Sequence, residues 1–128
     1  MQEWYVIFRS YQGNSSFLRK FLKVGFGHVS VIKKSGNMLI IIDPLTTGVA
    51  IDVIRPTSIN QIFINIPSDM KVLHITLPTQ NKLIITHFAN YLPSCVTCAK
   101  ALLGVRSWSL TPYGLYKNLQ KLGATSIV

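Results

Sequence analysis

Cysteine and histidine are the residues in this chain whose meeting would do covalent chemistry. There are two cysteines, Cys95 and Cys98, and three histidines, His28, His74 and His87. Cys95 stands in Leu92-Pro93-Ser94-Cys95-Val96-Thr97-Cys98-Ala99-Lys100-Ala101-Leu102-Leu103-Gly104. Pro93 ends any preceding extended segment. Ser94 can cap a helix by accepting a bond from a first-turn amide. Val96, Ala99, Leu102 and Leu103 then recur at helical spacing, and Gly104 suits a left-handed stop. Cys95 is thus the expected first helical residue, where the positive end of the helix favours thiolate over thiol. A thiolate needs a base that takes and returns the proton. His28, at the start of the strand Gly27-His28-Val29-Ser30-Val31-Ile32, is the candidate.

Each assignment has a plainer counterpart. A free cysteine is commonly an inert small apolar residue on a packed helix, and His28 can be a satisfied strand-end histidine. Cys98, three residues on, is core filler by default. Cys95 and Cys98 also form C-x-x-C. A zinc site would need two of the three histidines besides, at spacings unlike those of a zinc finger. A thioredoxin-type redox pair would need a surrounding βαβ pattern, which is missing. His74 lies in an alternating strand, and His87 lies eight residues before Cys95. No cofactor is implied.

The order of these parts resembles a known family. A Gly-His-Val strand start, followed much later by a small polar residue, Cys and a short apolar helix, is similar to the circularly permuted branch of the papain-like (NlpC-type) superfamily. Residues Ser94 to Gly104 also resemble the cysteine helix of small phage proteins, where a Trp and a Thr-Pro-Tyr helix start follow. Here those are Trp108 and Thr111-Pro112-Tyr113. The resemblance spans about His28 to Leu119. It implies a cysteine hydrolase or acyltransferase acting on peptide or peptidoglycan amide bonds or on acyl groups. It also implies an orienter for the histidine, a polar residue near the end of the next strand. In Ile40-Ile41-Ile42-Asp43 that residue is Asp43, whose plainer role is to cap a turn before Pro44. The Cys95 amide, and a polar side chain such as Gln12, are the expected oxyanion donors. The same resemblance admits a non-catalytic part of a phage particle, associated with other virion proteins.

The elements that must position these residues are legible in outline. Residues 2–9 are aromatic and β-branched, so a strand is expected. A short amphipathic helix around Phe17 to Leu22 follows, broken by Gly25 and Gly27. His28 to Lys33 and Met38 to Asp43 form a hairpin across Ser35-Gly36-Asn37. The run Leu39 to Ile42 suggests a strand covered on both faces, ended by Pro44. Val49 to Ile54 is a further strand. Residues 59–66 and 71–77 are apolar stretches, the second with clear alternation, and 82–91 is a weaker strand candidate. Thr111 caps a last helix with Pro112 at its first position, a buried stripe of Leu115, Leu119 and Leu122, and a stop at Gly123. Residues 124–128 read as a loose tail. The sum is one α+β domain over 1–128: a mixed, largely antiparallel sheet of about five to six strands with two or three helices.

Composition bounds the rest. A chain of 128 residues, 48% hydrophobic and 13% charged, is globular rather than disordered. No apolar run reaches the length of a membrane span. The start Met-Gln-Glu-Trp-Tyr lacks a signal-peptide core, so host cytoplasm or a virion is the expected location. Thirteen basic against four acidic residues give a net charge of +9. That favours an anionic surface or non-specific nucleic-acid contact, without the aromatic-basic run of an RNA-binding motif.

Overall fold

The computed structural model describes residues 1–11, 22–23, 25–45, 48–56, 58–64, 66–79 and 95–127. The expected helix around Phe17, the stretch 82–91, His87, Ser94 and Gln12 lie outside the described residues. The strands are β1 (Gln2–Arg9), β2 (His28–Ser35), β3 (Met38–Leu45), β4 (Gly48–Ile54), β5 (Lys71–Leu77) and β6 (Thr125–Ser126). Among the described residues the helices are α1 (Cys95–Leu103) and α2 (Pro112–Lys121), with a 3-10 turn at Ile59–Gln61. One sheet runs β4-β3-β2-β1-β5-β6, and every ladder in it is antiparallel. The expected α+β architecture on a largely antiparallel sheet holds.

Strand alternation divides the apolar residues between two faces. Trp4, Val6 and Phe8 of β1, Val29 and Val31 of β2, and Leu73 and Ile75 of β5 pack with Val96, Ala99 and Leu103 of α1 and Leu115 and Leu119 of α2. Tyr5, Ile32, Leu39 and Val72 point the other way, against Ile59, Ile62, Phe63 and Ile66. The helices therefore cover one face, and the turn-rich segment after β4 covers part of the other. That segment opens with the 3-10 turn at Ile59–Gln61.

Four details differ from the sequence expectation. The strand β3 lies second from the edge and buries Leu39 and Pro44, leaving Met38 and Ile40 to Asp43 half-exposed. Pro44 does not end β3. It pairs with Val49 of β4, beyond the β2 ladder, which runs only to Ile42. A missing N–H is tolerated where one side of the strand has no partner. Leu122 is 53% exposed, since it caps α2 instead of continuing its stripe. The tail is a strand: Ser126 and Thr125 pair with Leu73 and His74, and the Ile127 amide donates to the Val72 carbonyl at 2.9 Å.

Candidate active site

The histidine is placed by the turn that opens β2. Phe26 is buried against Phe8 and Tyr116, at ring distances of 5.8 and 4.9 Å. The Gly27 amide donates to the Arg9 carbonyl at 2.8 Å. A Cβ at Gly27 would lie 2.1 Å from the Tyr11 amide nitrogen, so only glycine lets the chain pass. His28 then enters the ladder opposite Arg9.

The cysteine is placed by α1. Val96, Ala99 and Leu103 bury one stripe against the sheet. The far end closes with Gly104 at φ 70. The Gly104 amide there donates to the Ala101 carbonyl at 3.3 Å, and the Val105 amide to the Lys100 carbonyl at 3.0 Å. This paired stop satisfies carbonyls that the helix leaves free. Lys100 donates to the carbonyls of Ser107 and Ser109 at 2.9 and 2.7 Å, tying the following loop to the helix. With that end fixed, Cys95 is held at the start of α1, beside the start of β2.

The His28 ring hydrogen-bonds the Cys95 sulfur. Its Nε2 lies 2.5 Å from Asp43 Oδ1. Ser30 donates to the same carboxylate oxygen at 2.8 Å, and Arg9 donates to Oδ2 at 2.9 Å. The side chains of His28, Asp43 and Arg9 are 22%, 26% and 38% exposed. The three side chains are thus neither fully buried nor fully exposed.

The electrostatics act in one sense. Burial pushes the Cys95 thiol up, but the His28 hydrogen bond, the Val29 amide, the imidazolium charge and the Val96 amide outweigh it. The net position is below the ordinary thiol value. His28 is raised, first by its bond to Cys95, against burial, and then by Asp43. Burial likewise pushes Asp43 up, and the bonds from His28 and Ser30 with the charges of His28 and Arg9 bring it below the ordinary carboxylate value. Cys98 moves oppositely: burial and the neighbouring Cys95 raise it. The two thiols are free, and they differ in kind.

The structure therefore brings the sequence-selected Cys95, His28 and Asp43 into one hydrogen-bonded line. It places His74 elsewhere. His74 is opposite Tyr5 on β5, four β1 positions from Arg9, or roughly 13 Å along the strand. Its Nε2 lies 3.6 Å from Glu3. Among the described residues, no group of three or more His, Cys, Asp or Glu side chains could hold a metal ion. Nor is any described helix long and apolar enough to cross a membrane. Sequence reasoning missed Arg9, Ser30 and the Val29 amide. Ser30 carried a signal, as a lone hydroxyl in an apolar strand two residues from His28. Arg9 carried none without the register. No family model, curated protein or solved structure matches the chain.

Proposed function

We propose that the protein is a thiol hydrolase or acyltransferase of the permuted papain-like kind, with Cys95 as nucleophile, His28 as base and acid, and Asp43 as orienter. The observation that carries this reading is the continuous line Cys95–His28–Asp43, with the thiol lowered and the imidazole raised. A histidine that merely satisfied a strand end would not be expected to interact with both a carboxylate and a thiol.

In the proposed reaction the Cys95 thiolate attacks the carbonyl carbon of an amide or ester. The π electrons of the carbonyl move to oxygen, and the Cys95 amide, unpaired within the helix, is the donor proposed for the developing charge. His28 gives its proton to the leaving nitrogen or oxygen as that bond breaks, leaving a thioester on Cys95. Water, or an acceptor amine or hydroxyl, then attacks the thioester. His28 takes the attacker's proton, and the sulfur leaves as thiolate. Asp43 holds the ring and favours the imidazolium without taking its proton. Peptide and peptidoglycan amides are the first substrates to try. Incubation with purified peptidoglycan stem peptides should release new amino termini with the parent, while Cys95→Ala should release none. Equal release by the two would reject the assignment.

A second reading is a non-catalytic interaction part of a phage particle that keeps this arrangement. One observation favours it. On the edge strand β4, Val49, Ile51 and Val53 are 53%, 66% and 53% exposed on one face. This reading predicts stable association with virion proteins, unchanged in Cys95→Ala.

A further inference from the structure

We propose that Arg9 and Ser30 are positioning residues of this site, clamping the Asp43 carboxylate at both oxygens so that the His28 ring is held on Cys95. The inference rests on the reading of Cys95 and His28 as a reacting pair.

Three donors converge on one carboxylate. Oδ1 accepts from Ser30 and faces His28 Nε2, and Oδ2 accepts from Arg9. A carboxylate bound through one oxygen turns freely about its terminal bond. Bound through both, it turns only by breaking a bond. The register builds the clamp. Arg9 stands opposite His28 across the β1–β2 ladder. One step beyond the Val31–Ile42 pair of the β2–β3 ladder, Ser30 comes beside Asp43. Arg9, Ser30 and Asp43 thus arrive from three adjacent strands.

Stability alone is a poor reason for this convergence. Arg9 is 38% exposed, and ion pairs at such exposure contribute little. Ser30 is 6% exposed, the buried polar residue among the described core. Its hydroxyl is directed at the one acid that also meets the histidine. With only four acidic residues in the chain, two cationic side chains and a hydroxyl meet at a single one of them.

The two contacts act in the same direction on Asp43, keeping it ionised as pH falls. The test follows the Asp43 carboxyl carbon by NMR titration of labelled protein, together with the acid limb of iodoacetamide alkylation at Cys95. The parent is compared with Arg9→Met, Ser30→Ala, Arg9→Lys and Ser30→Thr. Both midpoints should rise by about half a pH unit or more in Arg9→Met and in Ser30→Ala, and most of the shift should be reversed by Lys at 9 and Thr at 30. Should Arg9→Met fail to fold, the uncharged Ser30→Ala change decides. A parent that alkylates below neutral pH, with variants whose midpoints do not move, overturns the clamp alone. A parent whose Cys95 does not alkylate there overturns the reacting pair, and the clamp's role with it.

Discussion

At the scale of residues, two thiols three positions apart have opposite settings, and geometry sets the difference. Cys95 meets an imidazole and two amides, and is lowered. Cys98, one turn along the same helix, meets burial and a neighbouring sulfur, and is raised. The ion pair should therefore occupy a window that opens below the ordinary thiol value of about 8.5 and closes above the ordinary imidazole value of about 6.5. Cys98→Ala should keep the parent's alkylation profile at Cys95, read by peptide mass spectrometry after labelling. Asp43 makes a separate prediction about stability. Its folded value lies below its unfolded one, so its contacts stabilise the fold fully above the ordinary carboxylate range. That contribution is lost as pH falls through the depressed value. Relative to Asp43→Asn, the parent's urea midpoint should thus fall more steeply below about pH 4. Cys95 and His28 were legible from type and local spacing. Arg9 was not, because what makes it relevant is a cross-strand neighbour.

At the scale of elements, local signals served well wherever capping or alternation was decisive. Thr111 accepts from the Gly114 amide at 3.1 Å, with Pro112 at the first helical position, and Leu115 and Leu119 are fully buried. Thr111→Ala should cost about 1 kcal/mol, and Leu119→Ala about 3 kcal/mol, both measured by urea unfolding. Gly104→Ala should cost about 1 kcal/mol by forcing a Cβ into the left-handed region. Its further effect is to loosen the end of α1 remote from Cys95. Local signals failed where long-range pairing decided the outcome. Ala124 to Ile127, with β-branched Thr125 and Ile127, is too short to announce a strand by itself, yet the open edge of β5 supplies partners for its amides and carbonyls. Pro44 looked like a terminator, and it is retained because β3 outruns β2. Leu122 had the spacing of a core residue and lost its place to the turn at Gly123.

At the scale of the molecule, the sheet is covered unevenly. Helices α1 and α2 lie over β1, β2, β5 and part of β3, while the far edge presents β4 with Val49, Ile51 and Val53 outward. An edge with exposed apolar side chains and no lysine invites strand addition. Ile51→Lys should reduce concentration-dependent association, seen by light scattering at low salt, and leave Cys95 alkylation unchanged. Association that is insensitive to this change would place the contact elsewhere. Charge is equally uneven in use. Glu3 is drawn to Lys34 at 2.8 Å and Asp43 to Arg9 and His28. The site thus holds one of the few negative charges in a chain of net charge +9. The sequence foretold that excess, and the resemblance pointed to Asp43 beside His28, but neither announced Arg9 and Ser30 on the same carboxylate.

A thiolate–imidazolium pair between Cys95 and His28 would be visible in the pH dependence of iodoacetamide alkylation. The parent is compared with Cys95→Ala, Cys98→Ala and His28→Ala. Cys95 alone should react below the ordinary thiol range, and His28→Ala should move this reactivity up toward about 8.5. Equal reaction of both thiols near that value in the parent, or an unchanged profile without His28, would contradict it.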